Sequence, residues 1–293
     1  MVRRVTLATL ALVLASAVVH ATWNLWMKQL GPEVKSAPLM WLLTGISAVC
    51  YAPFALTLAA ESHWHPTPLA LGAMVGSGVI HIGYFLLLIR GYRVGDLSLV
   101  YPVARGTGPL LSTLGAIALL GERATVNSVS GVALIVAGVL ILTWRADAAS
   151  QAKLAPALRY GLAIGLLIAV YTIWDGAAVK HAGIPPVIFY WGGEVVRVLL
   201  FTPAAIANRA GVASLWREHR WRVLGIALLS PLSYILILLA MRTGAISHVG
   251  PAREISILIG AYLGGRVLGE GARRRRLAAA AAFAAGVIAL ALA

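Results

Sequence analysis

The chain has 293 residues, of which 60% are hydrophobic and only 12% are charged. Soluble domains have about 45–50% apolar and about 25% charged residues, so this composition excludes intrinsic disorder and argues against a soluble enzyme. The 24 basic and 10 acidic residues give a formal charge of +14, which we interpret as basic loops beside a membrane rather than a nucleic-acid surface.

Ten apolar runs are long enough to cross a bilayer, because a spanning helix needs about 20 mainly apolar residues. The connections between these runs leave no room for a soluble domain. We therefore predict an all-α integral membrane protein with ten transmembrane helices. In chain order, the predicted spans lie near residues 5–27, 37–60, 68–89, 97–120, 125–144, 157–179, 186–206, 222–241, 246–266 and 277–292.

An internal repeat divides the chain into two halves. Residues 93–102 and 242–251 share Arg, Gly, Ser, Val and Pro at matching positions. We therefore predict two five-helix repeats, residues 1–149 and 150–293. Because each repeat has an odd number of helices, the second is inverted relative to the first. Inverted repeats are common in secondary transporters, where the substrate binds near the bilayer midplane between the halves.

Both halves carry a Gly-x-x-Ser-x-x-x-Pro segment followed by Leu-Gly-Glu, at residues 120–122 and 268–270. The first predicted helix contains His20-Ala-Thr-Trp23-Asn24. This set of motifs resembles the EamA family of the drug/metabolite transporter superfamily. The resemblance implies secondary transport of small metabolites without ATP hydrolysis, in the export direction, with an aromatic amino acid exporter as the expected subtype. The chain also has no nucleotide-binding Gly-x-x-x-x-Gly-Lys-Ser/Thr loop.

The basic residues predict the orientation of the chain. With ten spans both termini share one face, which carries five Lys and Arg residues, whereas the opposite face carries sixteen. Basic loops favour the cytoplasm, so we predict both termini outside, in a bacterial inner membrane.

Arginines inside the predicted spans are the first site candidates, because a charge at the bilayer centre costs about 2.5–3.5 kcal/mol on insertion scales. Arg253 and Glu254 follow the repeat motif in the ninth span, and Arg105 is the counterpart in the fourth. We expect these arginines to bind a carboxylate or phosphate through their planar fork of donors. The alternative is an Arg–Glu lock between the halves.

Acidic residues supply a second set of candidates. Asp175 in the sixth span has no evident basic partner in the sequence, which favours a proton or substrate-amine site. Its counterpart in the first half, Asn24, is neutral. Glu194 and Arg197 lie three residues apart on one face of the seventh span, where we expect a structural ion pair.

Polar aromatic residues complete the predicted site. In the third span, Ser77, His81 and Tyr84 recur at helical spacing, and the repeat aligns His81 with Ser230, close to Tyr234. Two related helices are thus expected to turn polar groups inward. The remaining candidates are rings that could line the same cavity or belong to the interfacial aromatic belt, namely Trp23, Tyr101, Trp174 and Trp191.

Together these features predict a secondary transporter that moves a small amphipathic metabolite by alternating access. An amino acid, aromatic as the leading case, fits a fixed cation beside aromatic walls. The alternatives are a drug or sugar-phosphate carrier, or an intramembrane lipid-modifying enzyme, for which the sequence has no Asp-x-x-Asp pair and no His-x-x-x-His pair. We expect no cofactor, no metal, no nucleic-acid partner and a monomer within the lipid bilayer.

Overall fold

Eight α-helices build the described part of the protein, and every regular element within it is helical. This confirms the all-α prediction. The computed structural model describes residues 7–30, 34–94, 97–121, 125–143 and 154–244, with isolated positions between 246 and 289. The helices are α1 (Leu7–Lys28), α2 (Ser36–Glu61), α3 (Pro68–Val94), α4 (Leu97–Leu120), α5 (Val126–Thr143), α6 (Leu154–Lys180), α7 (Pro186–Ala207) and α8 (Arg209–Thr243).

Six of these helices, α1, α2, α3, α6, α7 and α8, are long and apolar enough to cross a membrane. Within α4 and α5 the described apolar stretches are shorter, Leu110–Leu119 and Val126–Gly138. The eight helices coincide with the first eight predicted spans, which supports a multi-pass membrane protein. Most of the ninth and tenth predicted spans lies outside the described residues, so the ten-helix count stays a prediction.

The helices pack mainly across the two sequence halves. Helix α1 contacts α8, α2 contacts α7 and α8, α3 contacts α6 and α7, and α4 contacts α6 and α5. The largest apolar cluster accordingly joins Tyr84 of α3 to Tyr171 of α6, Phe189 of α7 and Leu238 of α8. The core of the described bundle therefore lies between the halves rather than inside either one.

Glycines let α3 approach two helices of the second half. A methyl group added at Gly76 would lie 2.5 Å from the Trp174 ring of α6, and one at Gly78 would lie 2.7 Å from Val196 of α7. Gly72, on the same helix, has nothing within 4 Å of an added methyl group. Close helix contact thus depends on Gly76 and Gly78, as small residues permit in membrane bundles.

Helix α8 begins thirteen residues before the predicted eighth span, in a segment that we expected to be a connection. Asn208 caps it, because its side-chain oxygen accepts a hydrogen bond from the Gly211 amide at 3.3 Å. The backbone leaves helical geometry at His219, where φ is −129° and ψ is 15°. This break lies near the end of the polar first part of α8, which extends to Arg222 and is followed by a mainly apolar remainder.

Candidate functional site

One carboxylate is the meeting point of three helices. Asp175 of α6 is fully buried. Its Oδ2 atom accepts a hydrogen bond from the Tyr234 Oη of α8 at 2.6 Å. The Nε2 atom of His81, on α3, lies 4.0 Å from the same oxygen. Helices from both sequence halves therefore converge on Asp175, and the predicted candidates His81 and Tyr234 lie beside it.

The hydrogen bonds of His81 define which of its nitrogens faces Asp175. Its Nδ1 atom lies 2.9 Å from the backbone oxygen of Ser77, one turn earlier in α3. A carbonyl oxygen can only accept, so we assign a proton to Nδ1. Nε2 is then the nitrogen that can gain or lose a proton next to the Asp175 carboxylate.

Aromatic rings surround this polar centre. His81 stacks on Tyr171 with centroids 4.5 Å apart and planes 28° from parallel. Tyr84 meets Tyr171 edge-on at 5.6 Å, and Tyr190 lies 5.7 Å from Tyr234. All five side chains are buried. We call His81, Tyr84, Tyr171, Tyr190 and Tyr234 the aromatic cluster; its ring faces can pack against apolar groups or an ammonium ion.

The predicted ion pair on α7 is present. Arg197 Nη2 lies 2.9 Å from Glu194 Oε1, and both side chains are buried. Because the two residues share one helix, the pair ties no two helices together. The Arg197 guanidinium carbon lies 5.4 Å from the centroid of the Tyr190 ring, so the pair adjoins the aromatic cluster. Glu194 Oε2 and Arg197 Nε have no hydrogen-bond partner among the described groups.

Trp23 connects α1 to the same region of α8. Its Nε1 atom donates to Ser233 Oγ at 3.3 Å, and Ser233 Oγ donates to the backbone oxygen of Ser230 at 2.8 Å. Ser16 of α1 donates to the Ser233 backbone oxygen at 2.6 Å. Trp23 therefore bonds to the residue directly before Tyr234, and Ser230, four positions before Tyr234, contributes its carbonyl group to this network.

The side chain of Trp174 points toward α3, whereas the neighbouring Asp175 side chain bonds to α8. Its Nε1 atom donates to the Ala73 backbone oxygen at 2.9 Å, and the indole ring packs over Gly76. The side chain is 43% exposed, whereas Asp175 is fully buried. Trp191 likewise donates to a backbone oxygen, that of Ala48, at 2.9 Å. Both indoles therefore contribute hydrogen bonds between neighbouring helices.

Five further site candidates have side chains that lie outside the described part of the structure. Asn24 lies in α1, and Tyr101 and Arg105 lie in α4, but their side chains are outside the described part of the structure. Arg253 and Glu254 lie outside the described residues altogether. Within the described ranges, no group of three or more His, Cys, Asp or Glu side chains is arranged to hold a metal ion.

Sequence reasoning missed two members of the aromatic cluster. Tyr171 precedes Asp175 by four residues and Tyr190 precedes Glu194 by four, so each shares a helical face with a buried acid. That spacing was one available signal. The repeat offered a second one for Tyr171, because the offset that pairs Trp23-Asn24 with Trp174-Asp175 also pairs His20 with Tyr171.

Comparison with known proteins gives the fold and a family match for the first half of the chain. Twenty-eight chains of solved structures match; one of them, described only as "Crystal structure of protein", superimposes with a TM-score of 0.76 at 18% identity. The match covers 96% of this chain and 95% of the other, so the fold is shared over nearly the whole length. No curated protein sequence matches. The model of the EamA-like transporter family matches residues 7–144. The first half of the chain is therefore similar to the EamA-like transporter family.

Proposed function

We propose that the protein is a secondary transporter that moves a small amphipathic metabolite, in the first place an amino acid, across the membrane. The observation that carries the proposal is the buried Asp175 carboxylate, which Tyr234 and His81 approach from two other helices. Ionisable groups inside multi-pass membrane proteins are costly and mark substrate or ion pathways. The match of residues 7–144 to a transporter family supports this proposal.

The packing of the helices supports two inverted repeats that move against each other. The repeat relates α1 to α6, α2 to α7, and α3 to α8. A two-fold axis between the repeats would therefore convert the contact of α1 with α8 into that of α6 with α3, and both contacts are present. It would also convert the contact of α2 with α8 into that of α7 with α3. Alternating access between residues 1–149 and 150–293 follows as the proposed mechanism.

The chemistry around Asp175 favours a substrate with an amine and an apolar group. The carboxylate can accept an ammonium ion, and the rings of Tyr84 and Tyr171 can hold an aromatic side chain. Arg105 and Arg253 are the proposed partners of the substrate carboxylate. A cationic drug is the second candidate, because it would use Asp175 and the rings without either arginine. Export is proposed from the family resemblance alone.

Uptake into proteoliposomes tests the proposal. The panel would contain aromatic and aliphatic amino acids, sugar phosphates and cationic drugs, with and without a proton gradient. We expect Asp175→Asn to abolish transport of amine-bearing substrates, and Arg253→Ala to abolish amino acid transport while sparing a cationic drug. The matched control is Glu218→Gln, which neutralises an exposed carboxylate on α8. Failure of the folded protein to move any compound would refute the proposal.

We also propose that both termini face the outside of a bacterial inner membrane. The proposal depends on the five-to-sixteen distribution of basic residues between the two faces. A reporter enzyme that is active only in the periplasm, attached to the carboxyl terminus, should be active. An inactive reporter on an expressed, membrane-inserted fusion would reverse the orientation.

A further inference from the structure

The first part of α8 is an amphipathic segment at one end of a membrane-spanning helix. We call residues 209–222 the basic segment. Val212 and Leu215 face inward, where they pack in one apolar cluster with Phe201 of α7 and Val223. The inward positions recur three and four residues apart, as on one face of a helix. The segment is therefore anchored to the bundle by one face and exposes the other.

The outward face of the basic segment is positively charged. Four arginines and one glutamate give residues 209–222 a formal charge of +3. Glu218 accepts a hydrogen bond from Ser214 within the segment. All the arginines are exposed; they are Arg209, Arg217, Arg220 and Arg222. The segment therefore presents several planar guanidinium groups, each with hydrogen-bond donors, on its exposed face.

Two tryptophans accompany the arginines. Trp216 is 38% exposed and Trp221 is 75% exposed, which is high for the largest apolar side chain. The Arg220 guanidinium carbon lies 5.6 Å from the centroid of the Trp221 ring. Tryptophan is enriched where hydrocarbon meets headgroups, because one part of the indole is apolar and one part is polar. The exposed rings place the segment at that boundary.

The backbone break at His219 adds a polar group inside this surface. His219 Nδ1 is buried and has no hydrogen-bond partner among the described groups. Beyond Arg222, helix α8 is mainly apolar as far as Met241. The break therefore lies inside the basic segment, three residues before Arg222, and it leaves a hydrogen-bonding nitrogen unsatisfied there.

We propose that the basic segment is a binding site for the headgroup of an anionic phospholipid. A phosphodiester accepts paired hydrogen bonds from arginine, and basic clusters beside a membrane helix attract anionic lipid. The exposed indoles fit the acyl-chain boundary below such a headgroup. The site requires membrane insertion of α8 and is independent of which substrate the protein transports.

Fluorescence quenching in proteoliposomes tests the site on the full chain. The vesicles would contain phosphatidylcholine and increasing fractions of brominated phosphatidylglycerol or, in parallel, brominated phosphatidylcholine. The Trp221 signal is the difference between the unaltered protein and Trp221→Phe. We expect brominated phosphatidylglycerol to quench Trp221 at a lower fraction than brominated phosphatidylcholine. Soluble glycerol phosphate should not relieve the quenching, which distinguishes a lipid site from a free-phosphate site.

Charge-removing variants locate the effect. Arg217→Gln combined with Arg222→Gln should weaken the preference for phosphatidylglycerol about 30-fold, since each basic residue near the surface contributes about a fivefold gain. The control pair, Arg90→Gln with Arg159→Gln, removes two exposed arginines of α3 and α6. It should leave the preference for phosphatidylglycerol unchanged. If the glutamine pair does not fold, lysine at both positions should retain part of the preference. Equal quenching by both lipids, relief by glycerol phosphate, or equal loss in the control pair overturns the proposal.

Discussion

Tyr234 and Asp175 lie 59 positions apart in the chain and are joined by a hydrogen bond of 2.6 Å between phenol and carboxylate. Both side chains are buried between α6 and α8. A hydrogen bond to a charged acceptor contributes about 1.5–3 kcal/mol, roughly twice the contribution of a neutral pair. The bond therefore serves both to position Asp175 and to hold its helix against α8.

Removing the Tyr234 hydroxyl should destabilise the protein measurably. We expect Tyr234→Phe to lower the free energy of unfolding by about 1.5–3 kcal/mol, because the buried carboxylate loses a donor. The matched control is Tyr51→Phe, whose hydroxyl donates to the neutral backbone oxygen of Leu228 at 2.7 Å and should cost about 0.5–1.5 kcal/mol. Denaturant unfolding in detergent micelles measures both. Equal losses would show that the charge on Asp175 does not strengthen the bond.

The contact between Gly76 and Trp174 predicts a sharp difference between two glycines of α3. Gly76→Ala places a methyl group 2.5 Å from the indole and should cost about 1–3 kcal/mol of stability. Gly72→Ala meets open space and should be neutral or stabilising by up to about 1 kcal/mol, because alanine favours the helix. Thermal unfolding compares the two variants.

A second substitution checks the cause of the Gly76 effect. In the Gly76→Ala background, Trp174→Phe removes part of the obstructing ring, so the two changes together should cost less than their sum. Strict additivity would mean that the added methyl group acts somewhere other than on the indole.

Hydrophobic length predicted the helices well, because runs of about 20 apolar residues have few alternatives in a membrane. The repeat also placed His81 and Tyr234 at corresponding depths, and both lie beside Asp175 in the structure. The sequence was a poorer guide to how each helix is rotated about its axis, that is, to which side chains face the other helices. Trp174 and Asp175 are adjacent, yet one indole faces α3 and is partly exposed while the carboxylate is fully buried. Positions that face lipid and positions that face other helices both carry apolar residues, so the pattern of hydrophobic residues does not distinguish the two faces of a span.

The start of α8 shows a second limit of sequence reasoning. Residues 209–221 carry three arginines and one glutamate, and we therefore expected a connection. The Asn208 cap and the packing of Val212 and Leu215 make this stretch helical. Tertiary packing of these two side chains supports the helix, and a hydropathy search for membrane spans does not detect such packing.

The ion pair on α7 should behave as a coupled unit. Arg197→Met leaves the Glu194 carboxylate buried without its cation and should cost about 3–5 kcal/mol. Glu194→Gln leaves the opposite charge unpaired and should also destabilise. The double variant restores neutrality, so its loss of stability should be well below the sum of the two single losses. A double-mutant cycle from unfolding curves measures the coupling, and additive losses would contradict it.

Transport should depend on pH through His81. An imidazole becomes positively charged when its second nitrogen binds a proton, and His81 Nε2 lies 4.0 Å from Asp175 Oδ2. When protonated, His81 attracts the carboxylate that we propose as the amine site, so it competes with the substrate ammonium. The KM for an amine-bearing substrate should therefore rise as the pH is lowered, with little change in kcat. His81→Asn should flatten this rise, whereas His181→Asn, at an exposed position beyond α6, should keep it. A KM profile in His81→Asn that still follows the unaltered protein would remove His81 from the site and assign the titration to another group.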